Sequence, residues 1–278
     1  DYDGTTSATL NNTATLTGLL NGDNFQINLS NAQFANKNVA NGIAVTFNST
    51  ATALGNTVVG NYDVVLQPST TANITPRTVS VANITATNKT YDGTVGVTLT
   101  NQGTINTGVT GETITVSSTG RFLDKNVGTN KTVDITSIYS AGANTSLSNY
   151  TIVGQNEAQA TITALDVHLY GATGLTKVYN GATTIPSGVA GYGALSGTLA
   201  NDQVNVSGTA LFDSAAAGAR VVTQGNVQLS GADAGNYALV WHDGSGTITK
   251  APLVIKANNY AVIMSQNEPA NFGGVSYT

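Results

Sequence analysis

The strongest constraint on this chain of 278 residues is an internal repeat with a period of about 88 residues. The triplet Tyr2-Asp3-Gly4 returns as Tyr91-Asp92-Gly93 and as Tyr179-Asn180-Gly181, at spacings of 89 and 88 residues. An Asn-Tyr pair places its tyrosine at Tyr62, Tyr150 and Tyr237, at spacings of 88 and 87 residues. Landmarks kept in one order at one period identify a tandem array.

Two further landmarks fix the boundaries of the repeats. A Phe followed by Lys-Asn-Val occurs at Phe34–Val39 and Phe122–Val127, and the third copy keeps only Phe212-Asp213 ahead of Gly218. Each copy closes on a Thr-rich segment, with seams near Pro76, Ala164 and Lys250. We therefore divide the chain into residues 1–76, which lack the leading segment of the second copy, residues 77–164, a divergent copy at 165–250, and the start of a fourth repeat at 251–278.

The secondary structure within a repeat is predicted to be β throughout. Short runs rich in β-branched residues alternate with turn signals; they include Thr78–Thr85, Thr113–Val116, Thr132–Thr136, Tyr150–Val153 and Gln159–Ala164. Six or seven such strands per repeat are typical of an antiparallel sandwich. The predicted fold is all-β, a tandem array of antiparallel β-sandwich-like repeats. Because the seams are only a few residues long, we expect the repeats to form an elongated rod.

The amino-acid composition argues against several kinds of binding partner and site. Lys and Arg number 10 and the net charge is −5, so the chain lacks the basic cluster that phosphate binding needs, and we expect no nucleic-acid partner. The absence of Cys excludes disulfides and thiolate metal sites. No apolar run approaches the length of a membrane-spanning helix. The chain opens at Asp1, and we interpret it as an excerpt of a longer protein.

No catalytic constellation is evident, and we predict that the chain is not an enzyme. It contains no nucleophile elbow, no His-Glu-x-x-His zinc motif and no P-loop. Its two histidines, His168 and His242, have no counterparts in the other repeats. Trp241, His242 and Asp243 are nonetheless a candidate ligand-binding spot, where Trp would stack on a sugar and Asp would accept its hydroxyls. The alternative is an exposed loop that follows a strand.

The recurring Tyr-Asp-Gly triplet has a structural and an ionic interpretation. Asp3, Asp92 and Asn180 are expected to form Asx turns in which Gly4, Gly93 and Gly181 supply positive φ. Asp1 and Asp3 could alternatively contribute oxygen ligands to calcium, although the position of Asp1 does not stay acidic in the other copies. We expect no other cofactor. The motif tyrosines are expected to cap the edge of a core.

The equivalent lysines Lys37 and Lys125 raise one further hypothesis. An intramolecular Lys–Asn isopeptide bond would suit a shaft that has no cysteine. The third repeat has alanine at this position, which argues against a bond common to all repeats.

The ordered motif set carries a family resemblance. Lys89–Thr94, Lys177–Gly181, the Lys-Asn-Val segments and the Asn-Tyr pairs resemble the YDG repeat domain of large bacterial surface exoproteins. The third repeat departs from the pattern at Asn180 and lacks the Lys-Asn-Val core, so the resemblance implies either a divergent YDG repeat or a YDG–MBG hybrid there. The tail from Ala251 to Tyr260, with Glu268-Pro269 and Phe272-Gly273-Gly274, is similar to the start of an MBG repeat. These repeats typically build the shafts of filamentous-haemagglutinin-like adhesins that are exported by two-partner or autotransporter routes.

The resemblance implies an extracellular stalk segment of a secreted adhesin, on the bacterial cell surface, that serves adhesion, aggregation or biofilm formation. Its partners would be neighbouring repeats of the same polypeptide, and the chain would be monomeric. The rival function is a β-module that binds glycans or matrix polysaccharide through Trp241, Tyr192 and Tyr170. A third, weaker alternative is an accessory β-domain of a secreted hydrolase.

Overall fold

The computed structural model describes residues 1–11, 14–20 and 22–256. The chain groups into two compact units, one of residues 1–89 and 94–162 and one that begins with residues 90–93 and continues from residue 163. The described residues form β-strands, turns and three short 3₁₀ turns, at Val59–Asn61, Leu147–Asn149 and Ala234–Asn236. The prediction of an all-β fold with antiparallel-rich sheets is confirmed.

The first repeat forms a three-stranded antiparallel sheet in the order β1-β2-β3. Its strands are β1 (Asn24–Phe34), β2 (Ala40–Leu54) and β3 (Ser69–Ile74). Residues on one face of the sheet, such as Phe25, Ile43 and Val45, are buried, as period-2 alternation requires.

The second repeat contains two sheets, ordered β5-β10-β8-β7 and β6-β4-β9. Its strands are β4 (Arg77–Ala86), β5 (Lys89–Thr90), β6 (Leu99–Ile105), β7 (Ile114–Phe122), β8 (Gly128–Ala141), β9 (Tyr150–Val153) and β10 (Glu157–Thr163). The strands contain or closely overlap the runs predicted from sequence. Alternate residues of both sheets are buried, among them Val79 and Val81 on β4 and Val133 and Ile135 on β8.

The third repeat divides its strands among three sheets, ordered β12-β18-β15-β14, β11-β17 and β13-β16. The strands are β11 (Leu165–Tyr170), β12 (Leu175–Val178), β13 (Asn205–Ser207), β14 (Leu211–Phe212), β15 (Gly218–Thr223), β16 (Gln228–Ser230), β17 (Tyr237–His242) and β18 (Gly244–Thr249). Its core includes Leu169, Phe212, Val222 and Ile248, all of which are fully buried.

Parallel strand pairs are a feature that the sequence patterns did not indicate. The leading strand of each complete repeat lies parallel to the strand that begins at the Asn-Tyr tyrosine. The register sets Arg77 opposite Tyr150 and Leu165 opposite Tyr237. In both complete repeats the Asn-Tyr tyrosine therefore lies at the end where the chain enters from the repeat before.

The predicted fourth repeat falls largely outside the described residues, which end at Lys256. Residues 251–256 are exposed and contain no strand. The proposed MBG-like segment at 257–278 lies outside the described part of the chain.

Candidate functional site: the joint between consecutive repeats

The Tyr-Asp-Gly triplet lies at the end of its repeat where the chain leaves it. The backbone N–H groups of Tyr2, Tyr91 and Tyr179 donate to the carbonyls of Thr75, Thr163 and Thr249, at 2.9, 2.8 and 2.8 Å. Each of these threonines closes the last strand of a repeat or directly follows it. The triplet is therefore held beside the exit of its repeat by the same bond in all three copies.

The turn after each motif tyrosine has the expected Asx geometry where its bonds are described. The Asp3 carboxylate accepts from the N–H of Thr5 at 2.8 Å, and Asn180 accepts from the N–H of Ala182 at 3.2 Å. The backbone bond from Thr5, with a second from its hydroxyl, holds the pKa of Asp3 below its usual value. Gly4, Gly93 and Gly181 have φ of 82°, 74° and 76°, a region that disfavours side chains.

The entry end of the second repeat carries a buried acid that meets the first repeat. One oxygen of Glu112 accepts hydrogen bonds from the Tyr2 hydroxyl at 2.5 Å and from the Lys37 ammonium at 2.7 Å. Its other oxygen accepts from the Tyr150 hydroxyl at 2.8 Å. The side chain of Glu112 is only 2% exposed. Two landmarks of the first repeat and one of the second therefore converge on a single carboxylate.

The electrostatics of this cluster favour one protonation state. Burial raises the pKa of Glu112, but the hydrogen bonds from Lys37, Tyr2 and Tyr150 outweigh it and hold that pKa below its ordinary value. Burial and the bonds to Glu112 raise the pKa values of the Tyr2 and Tyr150 phenols. The bond to Glu112 likewise raises the pKa of Lys37. The cluster is thus a fixed carboxylate with neutral and cationic donors around it.

A second polar contact links the same two repeats. The Asn149 carboxamide oxygen accepts from the N–H of Val39 at 3.0 Å, and its NH₂ donates to Asn38 at 3.1 Å. Asn149 is 1% exposed. The Lys-Asn-Val segment of one repeat thereby hydrogen-bonds the Asn-Tyr pair of the next.

Apolar packing completes the joint. Tyr2, Ile43 and Ile74 of the first repeat share one buried cluster with Val79, Val109, Ile114 and Tyr150 of the second. The rings of Tyr2 and Tyr150 meet edge to face, with centroids 5.5 Å apart. A Cβ on Gly4 would collide with the side chain of Val109. Glycine is therefore needed there for close approach as well as for its φ.

We call the first-repeat side of this contact the exit half, formed by Tyr2, Gly4 and Lys37–Val39. The second-repeat side is the entry half, formed by Val109, Glu112, Asn149 and Tyr150. The joint is assembled only when the two halves meet.

The same arrangement returns at the next copy of the motif. Residues 90–93 group with the third repeat, and there the Tyr91 and Tyr237 hydroxyls both donate to Asp202, at 2.7 and 2.6 Å. Their rings meet edge to face with centroids 5.5 Å apart. Burial and the bond to Asp202 raise the pKa of Tyr237 to about 12. Leu199 takes the place of Val109, 3.1 Å from where a Cβ on Gly93 would lie.

Sequence reasoning missed the acid of this joint. Asp23, Glu112 and Asp202 lie 21, 21 and 23 residues after Tyr2, Tyr91 and Tyr179, each preceded at three positions by Leu20, Val109 or Leu199. An apolar residue followed at that spacing by Asp or Glu is the signal that would have found it. The equivalence was concealed because the acid is Asp in the first and third repeats but Glu in the second. In addition, the third repeat has two more residues between its triplet tyrosine and its acid.

Of the proposed sugar-binding residues of the third repeat, Trp241 and His242 lie in β17, whereas Asp243 is exposed between β17 and β18. Trp241 packs against the core of that repeat, and its indole N–H donates to Asp243 at 3.0 Å. His242 is the last residue of β17 and is half-buried, so the alternative of an exposed loop is wrong for this residue. Its ring stacks on Tyr170 at 4.3 Å and lies 3.0 Å from the His168 imidazole, nitrogen to nitrogen.

The other two aromatic candidates lie on neighbouring segments but differ in exposure. Tyr192 packs against the core of the third repeat and donates to the carbonyl of Gly208, whereas Tyr170 is exposed. Over the described residues, no group of three or more His, Asp or Glu is placed to hold a metal ion. In that same part of the chain, no helix has the length and apolar character to cross a membrane. The Lys37 amine, considered above for an isopeptide bond, forms an ion pair with Glu112.

Comparison with known proteins identifies the repeats. Three segments match a sequence model described as the YDG domain, at residues 1–72, 75–161 and 163–249. No protein of curated function matches the chain. Among solved structures it is similar to the crystal structure of Drosophila N-cadherin EC1-3, with 7% identity over 90% of this chain and 95% of that one. The TM-score of 0.21 for that pair carries no argument about fold or function.

Proposed function

The chain belongs to the YDG domain family, and from that premise we propose that it is a structural segment in the stalk of a large secreted bacterial surface adhesin. In this role the repeats hold a distal binding domain away from the cell during adhesion, aggregation or biofilm formation. The segment acts outside the cell and is monomeric, and its partners are neighbouring repeats of the same polypeptide.

The observation that carries this proposal is where the recurring residues lie. In the first unit, Tyr2, Lys37 and Asn38 of one repeat contact Glu112, Asn149 and Tyr150 of the next. A repeated ligand-binding module would retain side chains that face solvent. These repeats instead retain side chains that face the adjacent repeat, which is what an array of stacked units requires.

Short seams support a stiff array. Only Thr75 and Pro76 separate β3 from β4, and only Ala164 separates β10 from β11. Together with a joint that contains buried ionic, polar and apolar contacts, such seams would limit bending between repeats. A stalk needs this property to keep a distal domain extended.

Small-angle X-ray scattering of the chain, with and without millimolar calcium, tests the proposal. If each repeat is about 35 Å long, we expect a maximum dimension beyond roughly 100 Å. We expect the same curve with calcium. A compact particle about 60 Å across, as a single globular domain of this length would form, contradicts the stalk. Binding to a glycan array that is lost on Trp241→Ala or Tyr170→Ala would then favour the polysaccharide-binding alternative.

A further inference from the structure

The first repeat carries an entry half whose counterpart is not among the described residues. By position, Leu20 corresponds to Val109, Asp23 to Glu112, and the pair Asn61-Tyr62 to Asn149-Tyr150. Leu20 is 66% exposed, whereas Val109 is buried against the first repeat. Asn61 is exposed, whereas Asn149 is buried. The residues that the joint covers in the second repeat are thus uncovered in the first.

The acid shows the same contrast. Glu112 and Asp202 each accept from two tyrosines, one from the Asn-Tyr pair and one from a Tyr-Asp-Gly triplet. Asp23 accepts from the Tyr62 hydroxyl at 2.6 Å and from the Thr57 hydroxyl at 3.4 Å. Among the described residues, no triplet tyrosine reaches it. The ring of Tyr62 meets Phe25 edge to face, with centroids 5.4 Å apart, but Phe25 has no hydroxyl to donate to the acid.

The open entry half already contains two hydrogen bonds that an assembled one has. The Tyr62 hydroxyl accepts from the N–H of Leu20 at 3.3 Å while it donates to Asp23. In the assembled arrangement around Asp202, the Tyr237 hydroxyl accepts from the N–H of Leu199 at 3.1 Å while it donates to the acid. Because these bonds form without a partner, binding would require little rearrangement.

We infer that the surface formed by Leu20, Asp23, Asn61 and Tyr62 binds the exit half of a further YDG repeat. The tyrosine of a Tyr-Asp-Gly triplet would donate a hydrogen bond to Asp23, and the glycine of that triplet would lie against Leu20. A Lys-Asn-Val segment would place its lysine beside Asp23 and its asparagine beside Asn61. The precedents for these contacts are those made at Glu112, Asn149 and Val109.

The lysine of the Lys-Asn-Val segment narrows the choice of occupant, since Lys37 pairs with the acid at Glu112. In the third repeat, Tyr179 is 46% exposed and borders a shallow pocket lined by Ala215, Ala216 and Ala217. These alanines stand where the second repeat has Lys125-Asn126-Val127. The cation that borders this pocket is Lys250, which follows the closing strand and does not stand at the position of Lys37 or Lys125. The third repeat of a second copy would therefore be the poorer partner. The fitting partner is a repeat of the first or second type.

The test extends the full chain by one such repeat. A copy of residues 77–164 followed by residues 77–89 is fused ahead of Asp1, which preserves the register because Asp1 aligns with Thr90. A joint between tethered repeats operates at millimolar effective concentration, so weak contacts suffice. Hydrogen exchange is then compared between the extended and the 278-residue chains over residues 19–25 and 58–66, which occur only once in each.

We expect exchange in both segments to slow by about tenfold or more in the extended chain. Tyr91→Phe in the added copy should remove most of this protection relative to the unextended chain. Asp23→Asn should do the same, measured against an unextended chain that also carries Asp23→Asn. Asp63→Asn, an exposed neighbour of Tyr62, should leave the protection unchanged. Equal exchange in the extended and unextended chains would overturn the inference.

Folding of the added copy is read in the same experiment. Residues 114–122 occur in both copies, so a single protected population shows that both are folded. Two populations would show that one copy is not folded. In that case a second extension, built from residues 1–89 and supplying Tyr2 and Lys37, is measured instead. We then expect protection in one of the two copies of each duplicated segment. An absence of protection there would equally overturn the inference.

This inference rests on the proposed function, since it names the partner of a stalk repeat, but the two fail separately. Scattering from the 278-residue chain tests the stalk without reference to the open entry half. Hydrogen exchange in the extended chain tests the entry half whatever the length of the particle.

Discussion

Single equivalent residues differ in environment according to whether a neighbouring repeat covers them. Tyr2 and Tyr91 are 1% and 2% exposed and donate to a carboxylate, whereas Tyr179 is 46% exposed. The local backbone is the same in all three, since each N–H bonds the closing threonine and each triplet glycine has positive φ. The three tyrosines therefore differ in the surroundings of the ring and hydroxyl group, not in their backbone.

Tyr2→Phe removes one hydroxyl from the Glu112 cluster without changing the shape of the ring. Because Glu112 is buried and charged, we expect a loss of about 2 kcal/mol in the free energy of unfolding. Tyr179→Phe, the same change at the exposed copy, should alter it by less than about 0.5 kcal/mol. Urea denaturation of both variants measures the difference. Equal effects of the two changes would show that the hydroxyl contact with Glu112 does not stabilise the joint.

At the scale of elements, the joint is made by turns and strand ends. The 3₁₀ turn Leu147–Asn149 places Asn149 against the turn between β1 and β2, where it bonds Asn38 and Val39. The corresponding turn Val59–Asn61 contains no buried residue. Tyr150 follows this turn directly in sequence. The parallel pairing of β4 with β9 holds it opposite Arg77, beside the chain that enters the repeat.

Asn149→Ala should leave the N–H of Val39 without its acceptor in a partly buried place. We expect a loss of about 2 kcal/mol in the free energy of unfolding. Asn61→Ala, the matched change in the exposed turn, should cost less than about 0.5 kcal/mol. Hydrogen exchange locates the effect, which should appear at Val39 as well as in the mutated turn. An effect confined to residues 147–149 would contradict a role in joining the repeats.

For the whole molecule, the buried acid and phenols predict how stability depends on pH. The pKa of Glu112 is lowered from 4.5 in the folded chain, so its contribution is present above pH 4.5 and is lost as the pH falls through its folded pKa. The pKa values of Tyr2 and Tyr150 are raised from 10.0. The unfolded chain therefore loses phenolic protons first, and stability falls as the pH rises above 10.

Urea transitions recorded from acid to alkaline pH should show a plateau between these limits. Glu112→Gln should lower the plateau and weaken the acid limb, leaving the part that comes from Asp3 and Asp124, whose pKa values hydrogen bonds also lower. Tyr2→Phe should weaken the alkaline limb. An acid limb of unchanged depth in Glu112→Gln would show that the acid sensitivity arises elsewhere.

Much of the fold follows from the sequence because it depends on local patterns. Alternating β-branched residues predict strands such as β4 and β9, and the Asx-Gly sequence predicts the turns after Tyr2 and Tyr179. The period of about 88 residues gives the number of repeats and the equivalence of their residues. These features involve neighbours in the chain or comparison of one copy with another.

What meets across a joint was decided only by the tertiary structure. The Tyr2–Glu112 bond joins residues 110 positions apart, and a periodic sequence is equally consistent with each motif closing on its own repeat. The parallel pairing of leading strands brings the Asn-Tyr pair to the entry end and so selects contact with the preceding repeat. The sequence by itself determined which residues recur; the packing of one repeat on the next determined that they recur as the two halves of a joint.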